Sequence, residues 1–301
     1  MGSIRTGAYR HSISNICTML AVGVLAFFPA LVSGKGLDDL DKARSSKDIR
    51  GIRASLDGET KEALLGYARN SSKEGKKRFI ALASACKKMS EDEGVDVVDG
   101  IFNKEKDKDL RISCAIWMGD RKTNEKAKNA LKNAFKSDKE DKAVRAAIAI
   151  GLATMGDDSG KKVALDAILK SEYFADFGML ALERLKAKDV LPTLRTNRKN
   201  SSDYWVQNHC RIAELRIEMA SASEGETINL LRSALTEDGY FHVRLWAGRR
   251  LGEMGGCAAR DVLVSVARDS KSPGNYAARK GLAVGVEAGS WTMEEVGGWL
   301  R

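Results

Sequence analysis

The sequence predicts an all-α protein, an α-solenoid (superhelix) of about seven helical hairpins following an amino-terminal signal segment. Three observations lead there. Proline stands only at Pro29, Pro192 and Pro273, so nearly the whole chain lacks the residue that most strongly breaks helices. A ten-residue pattern recurs along the chain. Each copy is followed by a second stretch with apolar residues at helical spacing, and a single hairpin cannot bury both stripes alone.

The amino terminus reads as an export signal. Arg5, Arg10 and His11 precede an apolar run from Ile16 to Val32, and small residues follow at Ser33 and Gly34. Cleavage is expected before Lys35, which makes residues 1–34 the signal and the protein periplasmic or extracellular. An uncleaved anchor over residues 16–32 is the alternative, and it would be the chain's only membrane contact. Residues 35–69 read as a helical cap or degenerate repeat, with Ala63, Leu64, Tyr67 and Ala68 on one helix. The repeat domain is assigned to residues 70–301.

The pattern is clearest in three segments that align without gaps: Leu110 to Gly119, Val144 to Ala153 and Val243 to Gly252. Its first position is filled by Arg78, Leu110, Val144, Phe174, Val206, Val243 and Ala278, a period near that of a helix pair. Asp107, Asp141, Ser171, Asp203 and Asn275 stand three residues earlier, where a side-chain oxygen caps a helix start. Gly156 and Gly255 follow the first helices, where a left-handed residue ends one. Trp117, Trp205 and Trp246 read as core or inter-repeat packing, and Trp291, Val296, Trp299 and Leu300 as the closing end.

An apolar residue and arginine, then small and apolar residues, then Leu/Met-Gly-x-Met-Gly: this order resembles the HEAT repeats of the phycobilisome-lyase type over most of residues 70–301. The resemblance implies architecture. Members of that group help attach tetrapyrroles in a cytosolic pigment system, and no motif here requires that chemistry. HEAT-like hydroxylases that bind iron carry His-Glu pairs, whereas His209 precedes Cys210 and His242 precedes Val243.

No phosphate loop, nucleophile elbow or metal-ligand spacing is present, so the reading at this level is a non-enzyme with no cofactor and no metal. Cys86, Cys114, Cys210 and Cys257 are too dispersed for a Cys-x-x-Cys site and read as free thiols. Arg111, Arg145, Arg244 and Arg279 share one pattern position and read as ties between consecutive hairpins. Lys104, Lys136, Lys170, Lys199, Arg232 and Arg268 lie 25 or 26 residues after the first pattern position of their copies. Such a series either serves the negative ends of second helices or forms a basic ladder for an acidic peptide or polyanion.

The expected function is therefore an interaction scaffold of the cell envelope or extracellular space, binding a protein partner or acidic peptide on a concave face. The alternatives are nucleic-acid or polyanion binding through the ladder, and an envelope enzyme or enzyme-maturation factor. The net charge of +9 includes Arg5 and Arg10 of the signal, and export argues against nucleic acid. The sequence names no small-molecule substrate.

Overall fold

The structure, a computed structural model, describes residues 36–43, 52, 55–137, 139–172, 174–296 and 298. The signal segment, Trp299 and Leu300 lie outside these residues. Among the described residues there are sixteen α-helices and no strand. They are α1 (Gly36–Lys42), α2 (Lys61–Arg69), α3 (Gly75–Cys86), α4 (Glu91–Lys104), α5 (Lys108–Gly119), α6 (Glu125–Phe135), α7 (Lys142–Thr154) and α8 (Lys161–Leu169). Then come α9 (Ala175–Arg184), α10 (Leu191–Asn200), α11 (Tyr204–Met219), α12 (Glu224–Thr236), α13 (Phe241–Met254), α14 (Gly256–Arg268), α15 (Asn275–Glu287) and α16 (Met293–Val296). From α3 onward the helices alternate as the first and second members of hairpins.

The chain divides into two compact units, and the division runs through α8 and α9. Unit 1 takes residues through 167 together with 173–181, and unit 2 takes 168–172 together with 182 onward. Within unit 1, the first helices pack in sequence, α3 on α5 and α5 on α7, and the second helices α4 and α6 meet beside them. Within unit 2, α11 packs on α13, α13 on α15, and α12 on α14.

The two helix classes differ in how much of their surface they bury. In α7 every residue from Ala146 to Ala153 is buried, as befits a helix enclosed by neighbours on all sides. Ile148, Ile150 and Leu152 are fully enclosed there, and each contributes about 1.5–3 kcal/mol of apolar burial. By contrast α6 buries only Ala127 and Leu131 and turns its charged side chains to water.

Glycine sets how closely first helices approach. A Cβ on Gly119 would lie 2.2 Å from Gly151 Cα, and one on Gly248 would lie 2.3 Å from the Ala277 carbonyl oxygen. Backbone therefore touches backbone between α5 and α7 and again between α13 and α15. Gly156 and Gly255 adopt φ of +73° and +68°, the left-handed helix endings that the sequence predicts.

Most start signals act as expected. Asp107 accepts from the Leu110 N–H at 2.9 Å, Asp141 from Ala143 at 2.9 Å, and Asp203 from Trp205 at 2.7 Å and Val206 at 3.2 Å. Two do not. Ser171 sits at φ +50° and places its hydroxyl 3.3 Å from His209 Nδ1 instead of capping α9. Asn275 is already the first residue of α15, because Gly274 fits the capping place hard against the Leu235 carbonyl; its amide donates to the Ala267 carbonyl at 2.8 Å.

Candidate functional site

The arginines at the shared pattern position are built into the stack. Arg111 forms a two-pronged pair with Glu140, both contacts at 2.6 Å, and its Nε donates to the Phe102 carbonyl at 3.2 Å. Glu140 immediately precedes the capping Asp141 of the next hairpin, so the pair joins successive repeats. Arg78 repeats the arrangement, with Nε donating to the Ala68 carbonyl at 2.8 Å and its guanidinium on Glu105, two residues before Asp107. Arg78 is thus the counterpart of Arg111, at the second pattern position rather than the first. Burial raises the Glu105 pKa, but hydrogen bonds from Arg78 and from the N–H groups of Asp107 and Lys106 outweigh it and hold the carboxyl below the usual range.

Unit 2 uses different partners for the same task. Arg211 pairs with Asp238 at 2.8 Å, Arg244 donates to the Asp238 carbonyl at 2.6 Å, and Arg198 reaches the fully buried Glu214 at 2.9 Å. Sequence reading missed Glu214 and Asp238. The acids ahead of capping aspartates, Glu105 and Glu140, were a visible signal for the unit 1 pairs.

The six basic candidates are all exposed. Lys104 and Arg268 end α4 and α14, Lys136 caps α6, Lys170 follows α8, and Lys199 is the penultimate residue of α10. These five stand at or just beyond the ends of second helices, the negative pole that a basic side chain favours. Arg232 is different, lying inside α12 four residues before its end. It lines a polar groove of about 390 Å³ between α12 and α14, with Asn229, Thr236, Ser265 and Asp269. A groove of about 380 Å³ lies between α4 and α6 in unit 1, walled by Asn103, Asn133 and the Arg111–Glu140 pair. Neither Lys104 nor Lys136 lines it.

Among the described residues no three His, Cys, Asp or Glu converge as for a metal, and no helix is long and apolar enough to cross a membrane. Cys86, Cys114 and Cys210 are buried free thiols, and burial pushes Cys86 up to about 11 and Cys210 up to about 12, away from thiolate chemistry.

A ring cluster on unit 2 was not anticipated. Four large hydrophobic side chains are exposed among the described residues, and three of them, Tyr204 (43%), Phe241 (42%) and Tyr276 (52%), occupy one register. Each stands two residues before the first pattern position of its copy, ahead of Val206, Val243 and Ala278. In unit 1 the same place is held by Lys108 and Lys142. Rings connect the three. Phe241 stacks on Tyr276 at 6.0 Å, His242 lies 5.5 Å from Phe241 and 4.7 Å from Trp205, and Tyr204 lies 6.0 Å from His242 and 6.2 Å from Tyr240. Trp205, the second residue of α11, is half-buried in this edge, and its ring lies 4.7 Å from that of His242 in the next hairpin, the inter-repeat packing expected of it. The expectation for Trp117 holds, since it is buried with Arg121 over its ring at 4.0 Å.

The hairpins, their register and their helix packing make this a helical-repeat protein, the architecture the sequence predicts. Compared by sequence, it matches no protein-family model and no curated protein. Compared by structure, it is similar to the complex of CpcE and CpcF of phycocyanin lyase from Nostoc sp. PCC7120, with a TM-score of 0.44 and 20% identity over 92% of this chain and 98% of that one. It is also similar to human deoxyhypusine hydroxylase in complex with glycerol, with a TM-score of 0.34 and 14% identity over 78% and 98% of the two chains. The non-enzyme expectation is corrected here. The first of these structures bears the name of a lyase, and a chain without catalytic motifs in its sequence is not thereby a chain outside catalysis.

Proposed function

We propose that this chain works by holding a protein partner against the aromatic edge of unit 2, as part of an enzyme or of the machinery that matures one. One observation carries the reading. Tyr204, Phe241 and Tyr276 recur at one register position in three consecutive hairpins and keep roughly half their surface in water. Contiguous exposed apolar surface of this kind marks interaction sites, and Tyr, Trp and Phe are the residues that anchor protein interfaces. The lyase named above is a complex of two chains, CpcE and CpcF, and the reading for this chain is likewise one of action in company. Export through residues 1–34 belongs to the proposal, which places the partner in the periplasm or outside the cell.

The test is site-specific photocrosslinking in the producing cell, with benzoylphenylalanine at position 276, 204 or 142. A discrete adduct from 276 and 204, absent from 142 and lost when Phe241→Ser is added, supports the edge as the docking site. Equal adducts from all three positions, or adducts from 142 alone, overturn it.

A further inference from the structure

The chemistry of that partner can be read from the charges that border the rings, an inference that rests on the docking role just proposed. Lys280 places its ammonium 5.4 Å from the centre of the Tyr276 ring. Lys271 stands five residues before Tyr276, and Lys199 stands five residues before Tyr204. All three are exposed, and their ammonium groups form no ion pair among the described residues. Elsewhere on the surface lysines do find carboxylates: Lys61 meets Glu93 at 3.1 Å, Lys108 meets Asp141 at 2.6 Å, and Lys132 meets Asp157 at 2.7 Å.

The acids beside the rings are already engaged. Asp203 accepts two backbone N–H groups at the start of α11, and Asp238 is held by Arg211 with only 6% of its side chain exposed. The edge thus offers apolar ring faces and three lysine ammonium groups without an ion pair, against the exposed carboxylates of Asp203 and Asp269, both of which accept backbone N–H groups.

From this juxtaposition we infer that the aromatic edge takes an acidic protein segment bearing large apolar side chains, whose carboxylates meet Lys199, Lys271 and Lys280 while its apolar residues lie on Tyr204, Phe241 and Tyr276. Electrostatic complementarity of this kind raises the association rate and rejects basic partners, while the ring contacts supply most of the holding energy. Of the six ladder positions only Lys199 enters this site.

The purified chain is titrated with two fluorescein-labelled peptides of equal length and equal Leu and Phe content, one with Glu and Asp between the apolar residues and one with Lys. The acidic peptide is expected to bind, to weaken as salt is raised, and to lose about tenfold or more in affinity in the K199E/K271E/K280E variant. That variant should at the same time gain affinity for the basic peptide, a reversal that unfolding cannot produce. Equal binding of the two peptides by the unaltered chain sinks the charge assignment and leaves the docking role standing. If neither peptide binds, the edge is not a peptide site and both readings fall. Preferential binding of an oligothymidylate, whose bases also stack on rings, overturns the assignment to a protein.

Discussion

Replacing Gly119 by alanine should destabilise unit 1, although alanine is the better helix former. The added Cβ would sit 2.2 Å from Gly151 Cα and 2.9 Å from its carbonyl oxygen. Carbon atoms in contact prefer about 3.5–4.0 Å, so α5 and α7 must part by more than about 1 Å, and a gap of that size forfeits a quarter to a half of each contact along the seam. Overpacking of this kind costs about 1–3 kcal/mol. Against it stands a propensity gain of at most about 1 kcal/mol, smaller at the last residue of a helix. The net loss is about 1–2 kcal/mol, the difference of these two effects. Gly100 is the control. It lies inside α4, is exposed, and a Cβ there meets nothing within 4 Å. Gly100→Ala should therefore stabilise by about 0.5–1 kcal/mol. Urea unfolding followed by circular dichroism, with hydrogen exchange of the α5 and α7 amides, reads both. A Gly119→Ala protein as stable as the Gly100→Ala protein would refute the packing of first helices through glycine.

Glu140→Ala should cost about 3 kcal/mol, because it strands Arg111 in a pair whose carboxylate is only 7% exposed. Lys126→Ala should cost less than about 0.5 kcal/mol, since its pair with Asp96 is more than half exposed on both sides; equal urea midpoints for the two variants would contradict this. Asp157 is held down at about 2 against the burial that pushes it up, through hydrogen bonds from Lys132 and from the Ser159 hydroxyl and N–H. A depressed carboxyl contributes stability above its ordinary value of 3.8 that disappears as pH falls through about 2. Asp157→Asn should thus lower the melting temperature at pH 7 and lower it far less at pH 2, and a constant gap at both would be the wrong result. Intact mass of the exported protein should begin at or close to Lys35; a product retaining Ile16 to Val32 would establish an anchor.

The hairpins were legible because their signals are local. Asp107, Asp141 and Asp203 announce helix starts within three residues, Gly156 and Gly255 announce ends, and the apolar spacing between them is helical. Arg111 was legible as a tie because arginine at a fixed register place beside acids has few other uses. The edge was not. Tyr204, Phe241 and Tyr276 are 37 and 35 residues apart, and nothing in the sequence says whether an aromatic residue at a helix start turns inward or outward. Glu214 was invisible as a buried charge because its partner Arg198 lies on the preceding hairpin and carries no motif.

The central claim is that Tyr204, Phe241 and Tyr276 are covered by a partner in the cell, and hydroxyl-radical footprinting measures this directly. Oxidation of these three rings is compared between the purified chain and the chain inside intact producing cells, with Met293, the fourth exposed hydrophobic residue, as the internal reference. The account predicts that all three rings are protected in the cell relative to Met293. Oxidation of the rings in the cell to the same extent as in the purified chain would contradict it.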